Sequence, residues 1–433
     1  MAKIAFITLG CKVNTYESNA LMNKFIELGH EIVDPTDIAD AYIINTCAVT
    51  NMADRKSRKM IRHAKKLNPN AVVCAMGCFV QTSKDAINIS EADILLGNGN
   101  KGVAVEKVLE FLSKHKKDRY VEILDIRKET KYENLNATEF DQTRAFVKIE
   151  DGCSNFCSYC IIPYARGPVR SKPILDVINE IKAISENGYD EIVFTGIDTG
   201  KYYSNGNRLS DLIKRIKTEI PKIKRIRLSS VEINSIDDGI LELMGEDNII
   251  ADQIHLPIQS GADKILKLMN RHYTVSEFEQ KINKIRSVRP DISITTDVIV
   301  GFPLETEEDF LETVETIRRI GFSELHVFPY SKRAGTVAAS MPQVSDDIKK
   351  ERVEKLISLS KELEYEYAIK FKGKVLSVIF ENHPDKMFIK GHASNYLFIE
   401  ADYDKNYIHK MCDVEILDVG TNAIYGKIIK WFA

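Results

Sequence analysis

Three apolar runs, KIAFITLG, ADAYIINT and AVVCAMG, open the chain, and between them lie segments with helical spacing of apolar residues, ESNALMNKFIELG and DRKSRKMIRHAKKL. Strands that alternate with helices must lie parallel, because each crossover returns the chain to the same edge. Residues 1–126 are therefore expected to form a parallel α/β sandwich with its functional loops at the carboxyl ends of the strands. A polar stretch follows, RKETKYENLNATEFDQ, with no clear period, and residues 127–142 read as a linker. The alternation then resumes with RAFVKIE, EIVFTG, RIRLSS, QIHLPI, ISITTDVIV and ELHVFPY, separated by helical segments such as LDVINEIKAISENG. Six βα units are too few for a closed eight-stranded barrel, so residues 143–344 are expected to form a partial (β/α)6 barrel, with its site at the strand carboxyl ends. A charged amphipathic segment, 345–368, predicts a connecting helix. Beyond it, GKVLSVIFE, MFIKGHA, YLFIEA and MCDVEILDV alternate apolar and polar residues, so 369–433 predicts a small antiparallel β-barrel.

Such barrels are common nucleic-acid modules. The 60 basic and 63 acidic side chains leave a net charge of −3, so a nucleic-acid surface has to be a local patch. No apolar run reaches the roughly 18 residues of a membrane span, and the amino-terminal run reads as a strand, without a signal-peptide cleavage site. The expected location is the cytoplasm, where clustered cysteines more often bind metal or carry out redox chemistry than form disulfides.

Cys153, Cys157 and Cys160 form a C-x3-C-x2-C pattern directly after the first barrel strand. Closed structural zinc takes four ligands, and no further Cys or His follows at a usual zinc spacing. A [4Fe–4S] cluster accepts three thiolates and keeps one iron open for a small molecule; structural zinc and a cysteine-rich loop without metal are the alternatives. Cys11, Cys47 and Cys78 each follow one of the first three strands, which converge on one crevice, and suggest a second three-cysteine cluster. Buried structural cysteine is the alternative there. Cys74 stands about 13 Å from Cys78 along an extended strand, and Cys412 lies in a barrel strand; both read as core.

The C-x3-C-x2-C pattern, with Tyr159 before its last cysteine, resembles the signature of the radical S-adenosylmethionine (SAM) superfamily. DGCSNFCSYCIIPYARGPVRS is similar to the methylthiotransferases of that superfamily, as are LGCKVNTYES, NTCAVT and MGC around Cys11, Cys47 and Cys78, and the carboxyl tail resembles their TRAM domain. Within the family, GCKVN resembles the N6-threonylcarbamoyladenosine tRNA branch (MtaB type). Isopentenyladenosine enzymes tend to GCQMN and those modifying ribosomal protein S12 to GCPKN.

The resemblance implies two [4Fe–4S] clusters and SAM. The cluster at Cys153, Cys157 and Cys160 would cleave SAM to a 5′-deoxyadenosyl radical. The cluster at Cys11, Cys47 and Cys78 would hold the sulfur that is methylated and joined to C2 of adenosine 37. Implied partners are the tRNA anticodon stem-loop, an electron donor such as flavodoxin or ferredoxin, and a sulfur source, with no membrane. By the same analogy Tyr159, and Thr195 and Gly196 in FTGIDTG, are cofactor-binding candidates, the last two against a plain turn. Glu232, Gln259 and Gly301 end predicted strands as pocket residues or loop-structure residues, and Val327 packs near the adenine or in the core. Arg166 and Arg170 pair with a carboxylate of SAM or substrate, or form structural salt bridges. Arg55, Lys56, Arg58, Lys59, Arg62, Lys65 and Lys66 make one helix basic, for phosphate contact or as a solvated face. Rival functions are methylthiolation of isopentenyladenosine 37 or of an S12 aspartate, and a non-catalytic iron–sulfur RNA-binding protein.

Overall fold

The computed structural model describes residues 1–114, 118–140, 142–246, 249–382, 387–421 and 423–431. Its amino-terminal sheet has six parallel strands, β1 (Lys3–Thr8), β2 (Glu31–Val33), β3 (Ala41–Thr46), β4 (Val72–Gly77), β5 (Ile94–Leu96) and β6 (Tyr120–Glu122), in the order β2-β1-β3-β4-β5-β6. Every residue of β3 and β4 is buried, because helices cover both faces; this is why those segments read as unbroken apolar runs and not as alternating ones. Cys74 packs in one of the two cores, beside Ile43 and Ile94. The order reverses between β1 and β3, so the loops carrying Cys11 and Cys47 flank a topological switch point, where such sheets open a crevice. Helices α1 (Lys12–Glu27), α2 (Asn51–Leu67) and α3 (Cys78–Thr82) begin at or just after those loops.

The second unit has two three-stranded parallel sheets, β7 (Ala145–Lys148), β8 (Glu191–Thr195), β9 (Arg225–Leu228) and β10 (Gln253–His255), β11 (Ser293–Val300), β12 (Glu324–Pro329). Bridges at Ile226–Ile250 and Ser230–His255 join them into one six-stranded partial barrel. Its outward residues, among them Ile192, Phe194, Ile226 and Ile294, share a core with Ile178, Ile213, Phe278 and Ile317 of the surrounding helices. Alternate positions are polar: Glu191, Arg225, Arg227, Gln253, His255, Thr295 and Asp297. The two-residue period of a strand thus divides an apolar shell from a polar concave side.

Residues 129–140 carry neither helix nor strand, yet they are strapped down. Tyr132 donates to the Lys148 carbonyl (2.7 Å), the Leu135 carbonyl accepts from Tyr16, and the Ala137 N–H donates to Glu180 Oε1 (2.9 Å). The helix Asp346–Ala368, capped by Ser345, packs along β12 and leads to a closed barrel of β13 (Val375–Glu381), β14 (Phe388–Ala393), β15 (Phe398–Asp402), β16 (Met411–Val419) and β17 (Ile424–Trp431). Cys412 lies in its core. Glu191 holds Arg225 (2.9 Å) and Arg227 (3.0 Å), and these donate onward to the Ser377 carbonyl (3.0 Å) and the Ser394 carbonyl (3.1 Å). Two buried guanidinium groups thereby fasten the small barrel to the polar side of the large one.

Candidate active site

The loop Cys153–Cys160 leaves β7 through Gly152, whose φ is +89°; a Cβ there would stand 2.1 Å from the Pro168 carbonyl oxygen, so only glycine fits. Ser158 pins its middle, donating from N to the Met269 carbonyl (3.0 Å) and from Oγ to the Leu268 carbonyl (2.7 Å). Each sulfur receives a donor: Asn155 N on Cys153 (3.5 Å), Arg271 Nη1 on Cys157 (3.4 Å) and Ile162 N on Cys160 (3.4 Å). Burial raises Cys153 and pushes the Cys160 thiol up to about 12. Bare thiolates are thus disfavoured, while the donors are aimed to stabilise charge on sulfur. A metal centre resolves that opposition by supplying the positive charge itself, and an all-thiolate set suits iron–sulfur chemistry.

The amino-terminal cysteines come together by a different route. Gly10 has φ +99°, and a Cβ there would lie 2.8 Å from Cys47 Sγ, so the Cys11 turn presses directly on Cys47. Gly77, at φ +101°, allows the same close turn before Cys78. Cys47 and Cys78 are buried and Cys11 is exposed. Burial chiefly, with the adjacent sulfurs of Cys78 and Cys11, pushes the Cys47 thiol up to about 11. Asn98 Nδ2 donates to Cys78 Sγ (3.4 Å) and to the Ala165 carbonyl (2.7 Å), tying this trio to the turn after Cys160.

Between the two trios lies a buried ion cluster. Glu17 accepts from Lys101, Lys148 (2.8 Å) and Arg166 (3.1 Å), and Asp151 from Lys148 (2.7 Å) and Arg166 (2.9 Å). Burial opposes the charge on Glu17, but the three cations hold its carboxyl well below the usual range. Arg166 is fully buried and also donates to Asn14 Oδ1 (2.6 Å); Arg170 donates to the Arg166 carbonyl (2.8 Å). Both arginines are occupied within the protein, so of their two readings the structural salt bridge is the one found.

Three cavities adjoin the trios. The largest, about 620 Å³, is bounded by Cys11 and Lys12 on one side and by Gly196, Arg227, His255 and His326 on the other. A cavity of about 210 Å³ includes Thr50, Tyr159, Cys160 and Gln259, and Asp297 borders both. A third, about 240 Å³, has Cys157, Lys201, Glu232 and Arg271 in its wall. Tyr159, Gly196, Glu232 and Gln259 therefore all face space beside the cysteines. Thr195 is buried, its hydroxyl donating to the Val193 carbonyl (3.3 Å); Gly301 sits under Lys349, whose Cγ would be 2.3 Å from an added Cβ; Val327 packs against the barrel core. These three do not line the three cavities.

Arg271, Asp297, His255, His326 and Lys12 are site-lining residues that the sequence reading did not single out. His255 Nε2 and His326 Nδ1 each lie 3.2 Å from Asp297 Oδ1, with the rings stacked at 5.1 Å. Hydrogen bonds to Asp297 and Glu324 push His326 up to about 9; Asp297, although burial works against its charge, is held at about 2 by the two imidazoles. Their only sequence signal is a polar residue at alternate positions of a barrel strand. Arg271 follows a short helix and carries no such signal.

On α2, Lys65 pairs with Asp93 (2.8 Å), Arg62 approaches Glu91 (3.4 Å), and Arg58 lies over the Phe79 ring at 5.2 Å. Arg55, Lys56, Lys59 and Lys66 are exposed. Arg333 grips the start of this helix through Asn51 and Asp54 (both 2.9 Å), which fixes the basic ridge relative to the cavities. No helix among the described residues is long and apolar enough to cross a membrane.

Residues 147–317 match the Radical SAM superfamily, and residues 3–97 match a family described as Uncharacterized protein family UPF0004. Threonylcarbamoyladenosine tRNA methylthiotransferase MtaB of Bacillus subtilis is 42% identical, over 99% of this chain and 97% of the relative. The tRNA-2-methylthio-N(6)-dimethylallyladenosine synthase of a Thermoanaerobacter species is 34% identical, over 98% and 92%. Among solved structures, the radical S-adenosylmethionine methyltransferase TsrM from Kitasatospora setae superposes with a TM-score of 0.59 at 13% identity, covering 78% of this chain and 76% of that one. That last likeness is one of fold alone.

Proposed function

The chain belongs to the radical S-adenosylmethionine methylthiotransferase family, and from that premise we propose that it places a methylthio group on C2 of N6-threonylcarbamoyladenosine 37 in tRNA. The observation that carries the reading is the presence of two separate three-cysteine sites, each bordered by a cavity, with Asp297 common to the cavity at Cys11 and the one at Cys160. Bound at Cys153, Cys157, Cys160 and at Cys11, Cys47, Cys78, the two [4Fe–4S] clusters would supply reductive SAM cleavage at the first site and sulfur at the second.

The protein's own residues orient and enclose. Arg271 donates to Cys157 and approaches Glu232 (3.4 Å), so the third cavity offers charges of both signs, matching the zwitterionic end of SAM. Gly196 presents bare backbone to the 620 Å³ cavity because Glu150, which accepts from Ile197 and Asp198 N–H (2.8 and 2.9 Å), leaves no room for a side chain. The fixed basic ridge of α2 suits the phosphates of an anticodon stem. A flavodoxin or ferredoxin as electron donor, a separate sulfur source and a cytoplasmic location complete the proposal.

The test supplies anaerobically reconstituted protein with SAM, reductant and sulfide, and offers threonylcarbamoylated tRNA, isopentenylated tRNA and S12 separately. Mass spectrometry is expected to find the methylthio group on the first alone. The 34% identity to a dimethylallyladenosine enzyme keeps the second substrate as the competing reading, and product on that tRNA alone would establish it.

A further inference from the structure

We propose that Lys12 Nζ, on the wall of the 620 Å³ cavity, binds the carboxylate of the substituent on the reacting base and so selects an N6 group that ends in an acid. The inference rests on the function proposed above and names the contact that would choose among its substrates.

Position is the first argument. Lys12 directly follows Cys11, and both border the cavity, so a base brought to sulfur at Cys11 has its substituent within reach of the lysine. The volume lies in the range of about 300–1,000 Å³ typical of small-molecule sites, enough for a flipped base and its attached chain.

Charge is the second. Lys12 has no hydrogen bond or ion pair among the described residues, and the charges acting on it come from Arg144 and Arg227, both cations. Those two have their own carboxylates, Glu381 (3.1 Å) and Glu191 (3.0 Å). The acids bordering the cavity, Asp297 and Glu324, are engaged by the histidines, with Glu324 3.6 Å from His326. Lys12 is thus an exposed cation without a partner among the described residues, beside other cations on the open side of the cavity, and an entering anion relieves that repulsion. A backbone phosphate is the other oxyanion a tRNA offers. Phosphates meet the outer ridge of Arg55, Lys56 and Lys59, whereas a cavity shared with Cys11 receives the base and what is attached to it.

The test uses fluorescent anticodon stem-loops carrying, at adenosine 37, N6-threonylcarbamoyl or its primary amide, which keeps the shape and removes the charge. Kd is measured by anisotropy, and KM and kcat by product mass, for the native enzyme and for Lys12→Gln and Lys12→Arg, with iron content checked for each. Native enzyme is expected to favour the acid over the amide by about 30-fold or more, expressed in Kd and KM and not in kcat. Lys12→Gln loses that preference and Lys12→Arg keeps part of it. Equal weakening of acid and amide in Lys12→Gln assigns the lysine to phosphate or to structure and overturns the proposal, as does an intact preference. Should Lys12→Gln lose iron, the native enzyme and Lys12→Arg decide, and native indifference between acid and amide refutes the contact. Native turnover of the acid with that indifference removes only this inference; turnover of an isopentenyl stem-loop alone removes the proposed substrate as well.

Discussion

Glu17 is the point at which the structure makes its sharpest energetic claim. Its carboxylate is buried and faces Lys101, Lys148 and Arg166, while Asp151 is the other anion of the group. Glu17→Gln preserves shape and removes charge. Lys148 and Arg166 keep Asp151 at 2.7 and 2.9 Å, but Lys101, fully buried, keeps no salt bridge among the described residues, only the longer-range attraction of Glu133. Removing one partner of a buried pair costs about 3–5 kcal/mol, chiefly because the remaining charge is stranded. The loss falls chiefly between α1 and Lys101, inside the amino-terminal unit, and in smaller part between α1 and β7, where that unit meets the barrel. A chain of several units does not unfold in one step, so native-state hydrogen exchange of α1 and β7 amides is the proper measurement, and their opening free energy should drop by about that amount. Glu17→Gln/Lys101→Met should recover about 1–3 kcal/mol, because the stranded charge is then gone. A drop under about 0.5 kcal/mol, or strict additivity of the two changes, would show that Lys101 is not left stranded.

Three other perturbations have definite expected outcomes. Gly10→Ala forces a side chain onto Cys47 at φ +99° and should lower bound iron toward half, whereas Gly29→Ala, at φ +80° with nothing within 4 Å, should keep its iron and lose only about 1 kcal/mol; equal iron in both would contradict the close approach. By NMR, His326 should titrate near 9 in the native chain and nearer 6.5 in Asp297→Asn, so its contribution to stability is complete below about 6.5 and fades as pH rises through about 9; an unmoved midpoint would separate the two residues. Replacing Arg55, Lys56 and Lys59 by Gln should weaken tRNA binding and flatten its salt dependence by up to about three contacts, with unchanged binding across a salt series removing the ridge from the interface.

Most longer strands were legible, and of the three-residue strands in the two parallel units only Gln253–His255, carried in QIHLPI, was. The strands KIAFITLG and ISITTDVIV announce themselves by composition, but Glu31–Val33, Ile94–Leu96 and Tyr120–Glu122 have three residues each, too few for any period to register. The last barrel strand, Ile424–Trp431, hides for another reason: its burial is shallow and mixed, with Lys427 and Lys430 among its apolar residues. In the site, cysteine stands out because few residues share its chemistry, so both trios were visible as residues and as strand ends. Arg166 left two readings open because its partner Glu17 lies 149 positions away, and no local pattern reports a pair that only folding creates. His255, Asp297 and His326 resemble any polar strand residues until the barrel curves and brings them to one oxygen atom.

The two cysteine trios differ in how far the chain must travel to close them. Cys153, Cys157 and Cys160 share one short loop, while Cys11, Cys47 and Cys78 are gathered across stretches roughly tenfold longer, a difference of about 2 kcal/mol in closure entropy per link. The short loop brings its sulfurs together with few residues ordered; the other trio exists only while β1, β3 and β4 lie side by side. Assembly is therefore ordered by topology. On the function proposed above, the centre that supplies sulfur would be the later to fill and the earlier to be lost, which would leave a chain able to cleave SAM but not to transfer sulfur.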